Sequence, residues 1–285
     1  ASSPPKSSPT MAQMGAMMPV SDDPGVAALR KHWRDIGWRP FCLPLGVRVD
    51  EAHPLTTPCI KCLTCGGYPC LLKAKCDARS LAVDPILGLD NITLLTGRKV
   101  LRLDTDPSGR TVTEVVCQTD DGEERWRGDI VVLAAGATNS AVVLLNSASA
   151  AHPNGLANGS DQVGRNYMFH NSTAVVSLTL DQEAVRFPKT MAVNDFYWGE
   201  PDGSYGFPMG NIQLLEYMSG QTLEGQIEEY IPPALIPDAL AGAVAERLLS
   251  MLVVSEDLPL PDNRVQVNRE GRIVLDYTFG NLEGH

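Results

Sequence analysis

The feature that most constrains the fold is an almost uninterrupted apolar run at residues 129–135, which ends in two alanines followed by Gly136. A run of this kind is typical of a parallel strand that is buried on both faces. Residues 140–146 have the composition of a helix and follow closely. Strand, glycine and helix in this order are typical of a mononucleotide-binding unit, where small residues let a cofactor approach the backbone. A buried strand that meets a helix tightly explains the same residues without a cofactor.

Shorter segments before this run predict an antiparallel meander. Glycine- and aspartate-containing turn signals at residues 107–109 and 120–122 separate segments with strand-like patterns. The strands predicted here are residues 91–96, 99–103, 111–119 and 123–127.

The remaining segments predict a mixed α/β chain. Helices are predicted at residues 26–36 with Gly37 as the stop, at residues 75–83 ending before Pro85, and at residues 233–249. Further strands are predicted at residues 173–180, 210–215, 251–255, 263–268 and 272–277, with a turn joining the last two. Residues 1–23 are rich in Ser, Pro and Met and are predicted to be loop or extended chain.

Charge and hydropathy exclude some classes of partner. The formal net charge of −11 argues against nucleic acid, whose binding depends on Lys and Arg. It gives no reason to expect attraction to anionic membranes. No apolar run approaches the roughly 20 residues of a membrane span. Residues 1–19 carry no signal-peptide pattern, so a cytoplasmic location is expected.

Five of the seven cysteines fall within residues 59–76. Cys59, Cys62, Cys65 and Cys70 are separated by two, two and four residues, and thiolates at such spacing can converge on an iron–sulfur cluster or a zinc ion. A loop of reduced or locally bridged thiols that flanks a cofactor explains the same pattern. Both interpretations stay open at this point.

Residues 136–148 resemble the second signature of the glucose–methanol–choline (GMC) oxidoreductases. That signature has a glycine, a small residue, two variable positions, Ser or Thr, an apolar pair and then Ser-Gly. Ala141 stands where Pro or Ser is usual in the family, and Ala148 stands where Gly is usual.

Other segments agree with the same family in order and spacing. Residues 163–170 resemble the family segment Val-Gly-Arg-Asn-Leu-x-Asp-His, with Phe169 in place of the acid. Residues 65–78 are similar to the loop that precedes the adenine-contacting strands in one bacterial subgroup, and residues 44–47 resemble the extended segment before that loop. The resemblance is specific over about residues 25–170 and loose beyond them.

The resemblance implies an FAD-dependent oxidoreductase. The family oxidises the CH–OH group of alcohols, sugars or polyols by hydride transfer to the flavin. It implies that the backbone N–H and C=O of Val100 contact the adenine of FAD. Ala134, Ala135 and Gly136 are expected to pass close to the adenosine or pyrophosphate, and Asn139 is placed with the cofactor-binding positions. A small-molecule alcohol or sugar is the expected substrate.

Two parts of the family pattern do not occur in these residues. The Gly-x-Gly-x-x-Gly turn that binds the pyrophosphate is absent from the sequence, as is the His with a second His or Asn that acts over the flavin. His285 is expected to be solvated, and His170 to lie in a structural segment. His32, His53 and His152 are expected on the surface or in loops. We therefore assign no catalytic residue and no metal ligand, and we expect the chain alone to be inactive and to bind no FAD stably.

The expected organisation has three parts. Residues 1–58 are an N-terminal loop and helix segment that belongs partly to the substrate domain. Residues 59–154 are a partial FAD-binding domain of the βαβ type with the cysteine-rich loop and the antiparallel meander. Residues 155–285 are a substrate domain with an antiparallel sheet and helices. The alternative function is a small redox module with an iron–sulfur cluster or zinc bound by cysteines. The substrate, the electron acceptor and the oligomeric state are left open.

Overall fold

The structure, a computed structural model, describes residues 19–63, 65–178, 185–199, 202, 204–205, 209–227 and 238–285. The described residues form two compact units. The first takes its residues from the ranges 1–89, 171–256 and 283–285, and the second from the ranges 90–170 and 257–282. The domain boundaries expected from the sequence, after residues 58 and 154, stay a prediction.

The elements follow one another in a mixed order of helices and strands. The helices are α1 (Pro24–Asp35), α2 (Gly136–Asn146), α3 (Gly220–Ile227) and α4 (Asp238–Ala245), with short helical turns at Arg79–Val83 and Asp84–Ile86. The strands are β1 (Phe41–Cys42), β2 (Lys99–Thr105), β3 (Val112–Thr119), β4 (Gly122–Trp126), β5 (Asn171–Leu178), β6 (Met191–Val193), β7 (Gly210–Leu214), β8 (Leu248–Ser255), β9 (Arg264–Val267) and β10 (Ile273–Asp276). None of the described helices is long and apolar enough to cross a bilayer.

The first unit is built on a five-stranded antiparallel sheet with the order β1-β6-β7-β8-β5. Helix α1 begins with Pro24, whose fixed backbone suits the first turn, and ends before Gly37 at φ 93°. Val26 and Trp33 lie on its buried face. They share one apolar core with residues from the sheet and the loop before it, namely Val185, Met191, Val193, Leu214 and Leu249.

Asp22 and Asp23, the acidic pair before α1, also bind residues that precede β6. The Asp23 carboxylate accepts the backbone N–H of Arg186 at 2.8 Å and that of Phe187 at 2.7 Å, and makes no side-chain hydrogen bond to its own helix. Asp22 accepts Arg30 at 3.0 Å and the Thr190 hydroxyl at 2.6 Å. The two carboxylates therefore fix residues 185–190 against α1.

The second unit holds the three-stranded meander β2-β3-β4 and the hairpin β9-β10, both antiparallel. Helix α2 packs against β2 and β9, with Ala141 and Val143 buried. Its last turn is fixed to β2 because the Leu103 N–H donates to Ser147 Oγ at 2.8 Å, while that hydroxyl donates to the Val143 carbonyl at 2.6 Å.

The mixed α/β class with antiparallel sheets is confirmed, as are the meander, α1, α2 and the hairpin β9-β10. The buried parallel strand predicted at residues 129–135 is wrong. These residues belong to no strand, and Ile130 and Val132 are 85% and 80% exposed. All described strand pairs are antiparallel, and none includes this segment. An apolar run becomes a strand only where a neighbouring strand accepts its hydrogen bonds.

Three other predictions differ from the structure. Residues 91–96 belong to no strand either, and Leu94 is 57% exposed. The helix predicted at residues 75–83 is shorter, Arg79–Val83; it ends before Pro85 as predicted, and a second short helical turn, Asp84–Ile86, follows it. Residues 228–237 lie outside the described residues, and the described part of the helix predicted at 233–249 ends at Ala245 because Leu248 and Leu249 enter β8. Most of the loop predicted at residues 1–23 also lies outside the described residues.

Candidate functional site

The five positions expected to contact a cofactor all lie in the second unit. Ala134, Ala135 and Gly136 are exposed at the start of α2. Gly136 has φ 79°, a conformation that residues with a Cβ rarely adopt, and a Cβ added there would meet no atom within 4 Å. The segment therefore presents bare backbone to open space, which fits the close approach of a flat or phosphorylated group.

Val100 lies on β2, at the edge of the meander. It pairs with Cys117 of β3, and the register shifts between Val100 and Arg102, so that Leu101 has no partner in β3. Such a bulge leaves backbone groups free for another partner. The arrangement fits the backbone role that the family resemblance implies for Val100, whose contact with FAD stays a prediction.

Asn139 is exposed on the first turn of α2. The neighbouring Ser140 fixes the local backbone, because its Oγ accepts the Ala135 N–H at 3.1 Å. Sequence reasoning missed this role of Ser140. Residue types give no specific signal for this contact, because Ser140 is the fifth residue of α2 and not its N-cap. Together these residues offer shape and backbone polarity rather than acid–base chemistry.

Residues 163–170, the stretch that contains His170, are hydrogen-bonded to the chain at and just before β9. The Gly164 carbonyl accepts the Val265 N–H at 2.8 Å, and the Tyr167 N–H donates to the Asn263 carbonyl at 2.9 Å. Gly164 has φ 84°, and a Cβ there would lie 2.3 Å from the Val265 carbonyl oxygen. The Val-Gly-Arg-Asn motif thus fastens this segment to β9.

His285 was expected to be solvated, but it is only partly exposed and both ring nitrogens have partners. It is partly buried, its Nδ1 lies 2.9 Å from Ser255 Oγ, and its Nε2 lies 2.7 Å from Thr173 Oγ1. The two hydroxyls come from β5 and β8, which pair directly. No local sequence pattern indicates these contacts, because the two strands are far apart along the chain.

The cysteine-rich loop belongs to the first unit. Cys59 is buried, and its Sγ accepts the Lys61 N–H at 3.4 Å. Cys70 Sγ accepts the Ala74 N–H at 3.3 Å. In the part of the chain that the structure describes, no three Cys, His, Asp or Glu side chains are grouped to hold a metal ion. The iron–sulfur and zinc alternative therefore gains no support from the described geometry.

Comparison with known proteins agrees with the family resemblance. The family model described as GMC oxidoreductase matches residues 11–172, more than half of the chain. The chain belongs to the GMC oxidoreductase family. FAD is the cofactor that membership implies, and the exposed backbone at residues 134–136 and the bulge beside Val100 fit it.

Two curated relatives are both oxidases from Streptomyces. The chain is 28% identical to 6'''-hydroxyparomomycin C oxidase of Streptomyces lividus over 269 residues, which cover 90% of this chain and 45% of that protein. It is 28% identical to paromamine 6'-oxidase of Streptomyces fradiae over 260 residues, covering 85% and 44%. The chain thus spans less than half the length of these relatives. Pyridoxine 4-oxidase from Mesorbium loti is a solved structure with 17% identity, a TM-score of 0.44, and coverage of 72% of this chain and 38% of its own.

Proposed function

We propose that this chain is part of an FAD-dependent enzyme that oxidises a hydroxyl group of a sugar-like or polyol substrate. The family match over residues 11–172 carries this proposal. Two similar proteins, named for the oxidation of 6'''-hydroxyparomomycin C and paromamine, support a carbohydrate-like alcohol as the substrate class. A strongly acidic chain, with net charge −11, also favours an aminosugar over an anionic sugar because unlike charges attract.

FAD, when bound, supplies the hydride acceptor. The proposed role of the described residues is to shape the adenosine side of its site. The edge of β2 at Val100 offers backbone groups to the adenine. Ala134, Ala135 and Gly136 leave room for the ribose and phosphates, because none carries a side chain larger than methyl. Asn139 is close to this segment in sequence and is exposed.

The same proposal assigns the phosphate turn and the catalytic base to sequence outside these 285 residues. The relatives are more than twice as long as the segment matched here. On this basis we expect the chain alone to be inactive. The acceptor that reoxidises the flavin is not assigned.

Exposed apolar side chains in the second unit support the proposal that further sequence of the enzyme packs against them. Ile130 and Val132 are 85% and 80% exposed, and Leu94 and Leu95 are 57% and 40% exposed. Burial of one large aliphatic side chain stabilises a protein by roughly 1.5–3 kcal/mol. We propose that residues 91–96 and 129–135 become paired strands when the remainder of the enzyme is present.

The test uses the complete protein that contains this chain. We expect it to purify with FAD, and an aminoglycoside that carries a primary hydroxyl should bleach the flavin absorbance under anaerobic conditions. A simple alkanol and an anionic sugar serve as comparison substrates. Absence of flavin would contradict the cofactor assignment. Flavin that is bleached by none of the three would contradict the substrate class alone.

A pair of variants tests the proposed cofactor wall. Ala135→Leu places a larger side chain where the cofactor is expected, and should reduce the flavin-to-protein ratio of the complete enzyme at least several-fold. Ala150→Leu is the matched control, because Ala150 is also exposed in the second unit and lies outside the predicted wall. Equal flavin content in the two variants would show that Ala135 does not face the cofactor.

A further inference from the structure

A cavity of about 410 Å³ in the first unit is lined by three of the seven thiols. Cys62, Cys65 and Cys76 contribute these sulfurs, and residues 186–189 form another part of the wall. Neither the family resemblance nor the proposed oxidation assigns this cavity a role. The closely spaced cysteines therefore lie at a defined cavity to which no function is assigned so far.

Both sides of this cavity are held by specific contacts. The Lys75 ammonium donates to the Cys65 carbonyl at 2.5 Å and to the Tyr68 carbonyl at 2.8 Å, which fixes the backbone at Cys65. On the other side, the Asp23 carboxylate binds the amides of Arg186 and Phe187. Hydrogen bonds therefore hold the backbone on both sides of the cavity that the thiols line.

The seven cysteines differ in their access to solvent. Cys59 and Cys117 are buried, with 8% and 4% exposure. Cys62 is exposed and Cys65 is partly exposed. These two line the same cavity and are separated by two residues, the spacing of redox-active dithiols.

The surroundings of Cys65 favour a resolving role over a first attack. Burial raises the pKa of the Cys65 thiol, although the nearby Lys75 ammonium opposes that effect. A thiol of this kind reacts slowly with solvent oxidants but is well placed to attack an oxidised neighbour, because that reaction is intramolecular. Among the three thiols that line the cavity, Cys62 is the most exposed and is therefore the one that meets an oxidant first.

We propose that Cys62 and Cys65 are a reversible oxidation site that forms an intramolecular disulfide on reaction with hydrogen peroxide. The Cys62 thiolate attacks one peroxide oxygen, the O–O bond breaks, and a sulfenic acid and hydroxide form. The Cys65 thiolate then attacks the Cys62 sulfur, so that the S–S bond forms and the S–O bond breaks with loss of a second hydroxide. The two thiol protons convert both hydroxides to water. Two thiols are oxidised by two electrons, and one peroxide is reduced to two waters.

The experiment measures which thiols are lost. The purified protein is reduced, desalted and treated with one equivalent of hydrogen peroxide, and the remaining thiols are alkylated before peptide mass spectrometry. We expect the loss of two of the seven thiols, a cross-linked Cys62–Cys65 peptide, and recovery of both thiols with dithiothreitol. Metal content is measured on the same sample.

Variants separate this site from the other cysteines. Cys62→Ser and Cys65→Ser should each reduce the yield of disulfide at least tenfold, whereas Cys76→Ser and Cys42→Ser should retain it. If Cys65→Ser does not fold, as judged by circular dichroism, Cys62→Ser carries the test because Cys62 is exposed. A disulfide from Cys65 to Cys76, oxidation that ends at a sulfinic acid on one cysteine, or stoichiometric zinc or iron on these thiols would each overturn the proposal.

Discussion

Replacing Gly164 with alanine tests how the Val-Gly-Arg-Asn segment is fastened to β9. The residue has φ 84°, and a left-handed conformation costs a residue with a Cβ about 1–2 kcal/mol. The new Cβ would also lie 2.3 Å from the Val265 carbonyl oxygen, and no rotamer change relieves a clash between a Cβ and backbone. The chain must therefore move apart and lose the 2.8 Å hydrogen bond from the Val265 N–H to the Gly164 carbonyl, worth about 1 kcal/mol. We expect the free energy of unfolding to fall by about 2–3 kcal/mol in total.

Gly271→Ala is the matched control because Gly271 lies in the turn of the same hairpin, with φ 74° and no atom within 4 Å of an added Cβ. It should cost only the conformational term of about 1–2 kcal/mol. Urea unfolding followed by circular dichroism gives the two free energies, and amide hydrogen exchange reports on the Val265 N–H directly. Protection of that amide should be lost in Gly164→Ala and kept in Gly271→Ala. Equal destabilisation with unchanged protection in both variants would refute the reasoning.

Three further predictions concern single side chains. Burial raises the pKa of the Asp22 carboxyl, but its hydrogen bonds to Arg30 and Thr190 outweigh burial and lower the pKa overall. The stability that this carboxylate contributes is therefore present above its ordinary pKa of 3.8 and is lost as the pH falls below that value. Asp22→Asn should therefore cost roughly 2 kcal/mol at neutral pH, between the values for surface and buried pairs, and the difference from the parent protein in urea midpoint should shrink below about pH 4; a constant difference would contradict it. Tyr277→Phe removes the 2.7 Å hydrogen bond to the buried Asp257 and should lower the urea-derived unfolding free energy by about 1–2 kcal/mol; no loss would show that the bond is not needed. Val132→Asp should change the thermal midpoint of this chain little, because the side chain is 80% exposed, but should strongly lower that of the complete enzyme; equal small effects would refute the proposed burial.

Local patterns in the sequence predicted the elements that depend on local physics. Helix α1 has a proline near its start, a buried stripe and a glycine stop, and all three are within 14 residues of one another. The meander and the hairpin β9-β10 join neighbouring segments through short turns, so their pairing also follows from adjacent residues.

Some elements that depend on distant partners were not predicted correctly, although the predicted strands at 173–180, 210–215 and 251–255 overlap β5, β7 and β8. The run at residues 129–135 has strand composition but no strand beside it among the described residues. Conversely, β6 was missed because Met191–Val193 is only three residues long, and it is a strand because β1 and β7 pair with it. The bonds of His285 to residues of β5 and β8 were missed for the same reason.

The candidate site was predicted in part. The start of α2 was expected to present small residues, and the structure places Ala134, Ala135 and Gly136 in the open there. The bulge beside Val100 and the contact from Ser140 to the Ala135 amide depend on backbone geometry that residue types alone do not specify. Contact of FAD with Val100, Asn139 and residues 134–136 stays a prediction.

The most direct test of the proposed function is the amount of flavin that this 285-residue chain binds by itself. The chain is incubated with excess FAD and desalted, and the flavin-to-protein ratio is read from absorbance, with the complete enzyme treated in parallel. We predict a ratio near one for the complete enzyme and near zero for the chain, because the proposed site includes only its adenosine side in these residues and the sequence has no Gly-x-Gly-x-x-Gly turn. A ratio near one for the chain alone would contradict it.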